Sequence, residues 1–431
     1  MIIRCFLVER SVFVFLFLFL FLVLFGILRL NIFWLISFFI IRNVRLTLII
    51  LRVLIILILM GRISYELGII RGLVLKKLII ILLIVLYFFF SRCRVYIMYF
   101  IFELSLIPIF LIIMGWGYQI ERFNASLMII FYTLLASLPL LFILVYLNLF
   151  INRRKVYIFR ESLSNVGFIN FRFRFIVLIA FIVKTPVFIF HSWLPKAHVE
   201  APVYGSILLA SLLLKLGTYG VYLIFLIFLR IQFSLIILRI SLVGLILVRL
   251  SCLRLIDIKI IIALSSVSHI GIVLGGLVLY NKFLFWGRVY LILAHGVSSS
   301  LLFFGAGVMY MRCHSRIIIF SKGINSWIPT FSLLWFFRIM INIAGPPRVN
   351  LLSEIFLIIG FLNYCIFTRI YIFLGILLGS AYSLLIFRVR THGWEISFYD
   401  KIIIRAREII VFFSFLILGF FRILIFIFIV Y

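Results

Sequence analysis

The chain has 431 residues, 67% of them hydrophobic, and a mean hydropathy of +1.39. Soluble globular domains are about 45–50% apolar, so a soluble fold is excluded. The formal net charge of +30 would ordinarily point to nucleic acid or an anionic surface, but the cations form no arm or basic loop. They are scattered through apolar runs, and no nucleic-acid partner is expected.

A helix crosses a bilayer in about 20 apolar residues. Apolar windows predict spans near 11–30, 43–60, 77–91, 94–113, 126–150, 174–192, 204–229, 233–253, 258–280, 287–310, 328–344, 348–368, 371–391 and 409–430. The expected fold is an all-α polytopic membrane protein with 13–14 transmembrane helices. No composition shift marks a second domain, so 1–431 is read as one integral domain. Met1–Leu30 runs into an apolar stretch without a small-residue cleavage site, and it is read as the first span. Cys5, Cys93, Cys252, Cys313 and Cys365 are dispersed, which supports neither a zinc site nor a disulfide framework. There is no Gly-rich phosphate fingerprint and no clustered cysteine for iron–sulfur ligation, so no cofactor is expected in this chain.

The stretch Phe181–Tyr222 places Lys184 and Lys215 inside membrane-depth segments. An ionisable group there costs roughly 2.5–3.5 kcal/mol on insertion scales and is a functional candidate by default. Pro186 lacks an N–H, so the Ile182 carbonyl should lose its helical partner. A Pro-rich turn is expected through His191, Pro195 and His198. A second break is predicted at Ala344-Gly-Pro346-Pro347, followed by Glu354. Paired Gly/Pro-interrupted spans point to a transporter built from inverted repeats, and each break here lies near a buried charge.

Apart from arginines, few charges fall within spans: Glu103, Lys184, Lys215 and Glu354, with His269 and His295 among them. Burial disfavours the charged form of an acid or base, and an approaching opposite charge restores it. A row of such groups in a hydrated cleft can hand a proton along. Plainer roles compete with that reading. Glu103 and Lys184 could form a static ion pair, Lys215 could snorkel to an interface, and the two histidines could be hydrogen-bonded packing residues. His191, His198 and Glu200 read as architectural or cavity-mouth groups, and a metal site from the two histidines lacks a third ligand.

FELSLIPIFLIIMGWGYQIERFNA, KTPVFIFHSWLPKAHVEAPVYGS, LLLKLGTYG, DIKIIIALSSVSHIGIV, LAHGVSSSLLFF and GPPRVNLLSE occur in order between Tyr96 and Gly393. In these blocks the chain resembles the chain 4 family of mitochondrial NADH:ubiquinone oxidoreductase, antiporter-like membrane subunits of respiratory complex I. WLPKAHVEAP is the most specific block; the first 90 residues and the tail after Gly393 match only in hydrophobic character. The resemblance implies two inverted five-helix repeats, each with a broken helix. It divides the chain into N-terminal spans (1–92), a first half (93–230), a second half (231–393) and a C-terminal span (394–431). It also implies a proton-transfer axis: Glu103 and Lys184 in the first half, Lys215 centrally, His269 and His295 as bridges, and Glu354 on the second broken helix. The implied setting is the mitochondrial inner membrane, where neighbouring antiporter-like subunits and bilayer lipid, cardiolipin included, are the partners. Flavin, iron–sulfur clusters and ubiquinone would then belong to partner subunits. The family also resembles multi-chain sodium/proton antiporters, the alternative function.

The resemblance bears on the charge anomaly too. Arg122, Arg254 and Arg316 stand where the family carries arginine; Arg249, Arg348, Arg388 and Arg390 stand where invertebrate relatives read serine. Invertebrate mitochondria read AGA and AGG typically as serine. With 31 arginines set aside, 10 lysines against 11 acids leave −1. The expectation is that serine occupies most of these arginine positions in the native chain, and methionine many isoleucine positions.

Overall fold

In a computed structural model, the described residues are 69–91, 95–150, 171–227, 234–279, 281–345, 349–393 and 408–416. All lie in the unit Leu48–Tyr431; the other unit, Met1–Thr47, holds none of them. The expected spans at 11–30 and 43–60 and most of the one at 409–430 therefore lie outside the described residues.

A bilayer offers no water to unpaired backbone groups, so apolar runs satisfy themselves as helices. Those described are α1 (Ile69–Ser91), α2 (Val95–Leu104), α3 (Leu106–Trp116), α4 (Arg122–Phe150), α5 (Phe171–Lys184) and α6 (Trp193–Glu200). Next come α7 (Val203–Leu208), a π turn (Leu209–Leu213), α8 (Leu214–Ile227), α9 (Ser234–Arg254), α10 (Ile258–Val278) and α11 (Lys282–Cys313). After them stand the short α12 (Ile324–Trp327), then α13 (Pro329–Asn342), α14 (Val349–Leu362) and α15 (Ile366–Thr391). Eight described helical segments are long and apolar enough to cross a membrane. They match the expected spans to within a few residues.

The central layer is α7–π–α8, α10 and α11, whose span windows are each 94% buried. In contrast, α15 has only 28% of its window buried and faces outward. The arginines divide in the same way. Arg239 and Arg369 lie on exposed helix faces, whereas Arg249, Arg338 and Arg390 are inside, at 2%, 1% and 1% exposure.

Both breaks occur. α5 has 14 residues, about 21 Å at 1.5 Å each, short of a hydrocarbon core of about 30 Å. It ends on Lys184. The carbonyl of Ile182 that Pro186 cannot serve accepts the Thr185 hydroxyl at 3.0 Å, and that of Val183 accepts the Trp193 indole N–H at 3.1 Å. At the second break α13 and α14 are separate helices of 14 residues. Asn350 Nδ2 crosses it to donate to the Ile341 carbonyl at 2.7 Å. Ala344 there takes φ 63°, the left-handed region that disfavours a Cβ. Pro346 and Pro347 fall outside the described residues.

One expectation is corrected. The segment around Pro195 is a two-turn helix, Trp193–Glu200, rather than a turn through to His198. Pro195 sits in its first turn, where the missing N–H has no helical acceptor anyway.

α8 crosses α5 on glycine. A Cβ on Gly217 would stand 2.5 Å from Thr185 Cγ2 and 3.0 Å from the Thr185 backbone nitrogen. Overpacking of this kind typically costs about 1–3 kcal/mol. Gly217→Ala is expected to lower the thermal stability of the assembled protein by that order. Gly115→Ala, whose Cβ meets nothing within 4 Å, should leave the melting temperature unchanged.

Candidate functional site

Lys184 is 2% exposed at the foot of α5. Its Nζ donates to the Phe102 carbonyl at 2.9 Å and lies 3.2 Å from the Phe102 ring centroid. A carbonyl and a π face together replace part of the hydration shell an ammonium loses on burial. Glu103, the next residue on α2, is in electrostatic reach of Lys184, with Tyr99 and Ser137 beside it. Neither carboxylate oxygen makes a hydrogen bond. The two groups are neighbours, but Lys184 is held by the Phe102 backbone and not by a closed ion pair.

Lys215 is likewise 2% exposed and lies one residue beyond the start of α8. A π turn lets a carbonyl leave the regular helical ladder, and such turns concentrate at functional sites. Here the Ala210 carbonyl, inside the turn, accepts from Lys215 Nζ at 2.5 Å. The same Nζ is 3.2 Å from His295 Nδ1 on α11. The His295 ring is 5.4 Å, centroid to centroid, from that of His269 on α10. Lys215, Thr218, His269 and His295 line a cavity of ≈ 10 Å³, about the minimum for one water.

Beyond His269 the polar groups continue. Asn342, the last residue of α13, neighbours His269 and donates from Nδ2 to the Tyr382 hydroxyl at 3.2 Å. Ser265 lies next to Tyr382. Asn342 and Tyr382 are 8% and 2% exposed, and sequence reasoning missed both. The signal available was Asn342 itself, an amide just ahead of the second break. Glu354 on α14 has Arg249 as its nearby charge. The Arg249 guanidinium bonds the Ser268 hydroxyl at 3.3 Å and the Gly375 carbonyl.

The structure thus brings Glu103 to Lys184, and Lys215 to His295 and His269. No hydrogen bond joins Lys184 to Lys215, or Glu354 to the histidines, among the described residues. Where Lys184 nears Lys215's helix, the contact is Gly217 against Thr185.

A second polar cluster sits at one end of the bundle, where α3, α9 and α11 finish and α4 and α10 begin. Arg316 Nη1 is 3.8 Å from Glu200 Oε1. Lys259 Nζ donates to the Val199 and Ala201 carbonyls, both at 3.1 Å. Burial raises the Glu200 carboxyl above its usual range, against the opposing pull of Arg316. His198 is fully buried, its ring stacked on Phe303 at 4.5 Å and 5°. Burial, then Lys259 and Lys215, push the His198 ring down to about 3. Among the described residues no three His, Cys, Asp or Glu side chains form a metal-binding group.

A family model described as "NADH:quinone oxidoreductase/Mrp antiporter, TM" matches residues 94–379. The chain belongs to the NADH:quinone oxidoreductase/Mrp antiporter family. Within this family, NADH-ubiquinone oxidoreductase chain 4 of Ceratitis capitata is 40% identical over 306 residues, 70% of this chain and 68% of the relative. Chain 4 of Aedes aegypti is 43% identical over 298 residues, 68% of this chain and 66% of the relative. The match thus spans about two thirds of each relative. The fold is that of a chain in respiratory complex I from Thermus thermophilus (TM-score 0.74, 22% identity), covering 89% of this chain and 80% of that one. All six residues of the expected axis lie inside the family's matched region.

Proposed function

We propose that the chain is a proton-translocating membrane subunit of an NADH:ubiquinone oxidoreductase of the mitochondrial inner membrane. Its work is to move a proton along Glu103, Lys184, Lys215, His295, His269 and Glu354. Redox chemistry, with flavin, iron–sulfur clusters and quinone, belongs to partner subunits, and the neighbours in the membrane are further antiporter-like chains and lipid. The halves 93–230 and 231–393 act as the two inverted repeats, each carrying one of the breaks.

The observation that carries this reading is the buried Lys215–His295 contact beside His269. An ammonium in direct contact with a neutral imidazole nitrogen has an acceptor for its proton, and a second imidazole stands behind it. A static architectural lysine would be expected to face a carboxylate, and none meets Lys215 here. Glu103 is placed to retain or release the proton on Lys184. Closer approach of its carboxylate favours the ammonium, and withdrawal leaves Lys184 a buried charge with a carbonyl and a ring. Thr185, Trp193 and Asn350 serve the Ile182, Val183 and Ile341 carbonyls at the two breaks, the kind of satisfaction that lets irregular backbone persist at membrane depth.

The family description also covers Mrp antiporters, but the relatives near 40% identity carry the oxidoreductase name. Lys215→Ala in the assembled complex tests the reading. Protons moved per NADH should fall while assembly on a native gel stays normal; an unchanged ratio would remove Lys215 from the pathway. Sustained ion exchange by the isolated chain in proteoliposomes would favour the antiporter alternative.

A further inference from the structure

His198 stands apart from that axis, yet its environment is that of a proton carrier. It is 0% exposed, and neither ring nitrogen has a hydrogen-bond partner. Burying an imidazole with both nitrogens unmet leaves their desolvation uncompensated, unless water serves them at some stage. The ring plane is fixed by the near-parallel stack on Phe303 of α11, the helix that also carries His295. The groups that act on it are Lys259, Lys215 and His295. Two residues along α6, Glu200 has one carboxylate oxygen near Arg316 and the other, Oε2, buried without a partner. Glu121 acts on Glu200 from the exposed residues just ahead of α4. Unmet polar atoms on His198, Glu200 and Arg316 thus lie at the end of the bundle where five helix termini converge, with the central lysine within electrostatic reach of His198.

We propose that His198 is the branch through which the central Lys215–His295 pair exchanges protons with the aqueous face marked by Glu200 and Arg316. The step balances without any other reactant. An N–H bond breaks at Lys215, leaving a neutral amine. The proton passes by way of His295 and bridging water to one nitrogen of His198, forming an N–H there. The N–H on the opposite nitrogen then breaks, and its proton passes to Glu200 and on to bulk water. A half-turn about the Cβ–Cγ bond, which lifts the ring off Phe303 and returns it to the stack, restores the starting arrangement. Lys215 and Lys259 both act on the ring, so an imidazolium beside a charged Lys215 is disfavoured by like-charge repulsion. His198 therefore accepts as Lys215 gives up its proton, and positive charge on both at once is disfavoured.

The branch rests on the axis proposed above, and the experiment separates the two. His198→Phe keeps the ring and its stack on Phe303 but removes both nitrogens. His198→Gln keeps hydrogen bonding but cannot titrate. In the assembled complex, either variant should slow proton transfer through this chain by about 10²-fold or more, the range for a removed proton-transfer group. The native-gel band and NADH oxidation by artificial electron acceptors should be unchanged. Normal protons per NADH in an assembled His198→Phe or His198→Gln complex would overturn the branch. So would failure of both variants to assemble, which would make the ring a packing element. Lys215→Ala is the control: if it impairs pumping while the His198 variants do not, the axis stands and the branch alone falls. If Lys215→Ala is also silent, the axis itself is at fault.

Discussion

Lys184→Ala is expected to stop proton transfer through this chain while the complex still assembles. The loss should be on the order of 10²–10⁴-fold, the contribution of a positioned proton donor or acceptor. Removing the ammonium empties the place between the Phe102 carbonyl and ring and leaves Glu103 without its nearby cation. Lys184→Arg sharpens the test. A guanidinium stays protonated under all physiological conditions, so it can preserve a static ion pair but cannot hand a proton on. If Lys184 is a switching base, Arg should fail as completely as Ala. If Glu103 and Lys184 merely lock two helices, Arg should restore function. Proton uptake per NADH in reconstituted vesicles reads the difference, and full pumping by Lys184→Ala would reduce this half to a spacer.

The second large effect concerns the chain's own composition. Peptide mass spectrometry of the purified chain is expected to read serine at 249, 338 and 390. Arg249 and Arg390 sit at 2% and 1% exposure in a membrane bundle. Two nitrogens of Arg390 have no hydrogen-bond partner, and its guanidinium carbon lies 4.7 Å from the Trp335 ring centroid. Each such residue carries an insertion penalty of roughly 2.5–3.5 kcal/mol. Position also argues for a small residue. A Cβ on Gly379 would stand 2.7 Å from the Arg249 Nη1, and one on Gly305 would stand 2.2 Å from the Arg338 Nη1. The guanidinium tips thus press on glycines of neighbouring helices, space that a serine would leave free. A serine at 249 would also free Glu354 from a fixed cation in its neighbourhood. Arginine found intact at 249, 338 and 390 would sink the expectation.

What could be read from the sequence follows from which energies are large. A misplaced apolar run or a stranded charge in lipid costs several kcal/mol, so spans and ionisable candidates are visible as composition. The break after Lys184 was legible because proline deletes a specific donor, and the carbonyl it leaves, that of Ile182, is the one Thr185 serves. Neutral polar residues leave a fainter trace. Asn342 and Tyr382 look unremarkable in an apolar run, and only the meeting of α13 with α15 puts one against the other. The helix Trp193–Glu200 was misread because two prolines, Pro195 and Pro202, suggest a turn until Pro195 is seen in a first helical turn. His198 looked architectural because the charged and titratable groups that act on it lie 17, 61 and 97 positions away, at Lys215, Lys259 and His295.

The π turn at Leu209–Leu213 has a further consequence. A turn of this kind holds about one residue more than an α turn, and each residue advances an α-helix by about 100°. Everything after it on that span, Lys215 first, is therefore rotated relative to everything before it, out of phase with Val203 and Ser206 on the same rod. Were the segment to anneal into a plain α-helix with its residue count unchanged, the ammonium would swing away from His295 by roughly a quarter of a revolution. One irregular turn sets the angular address of the central lysine.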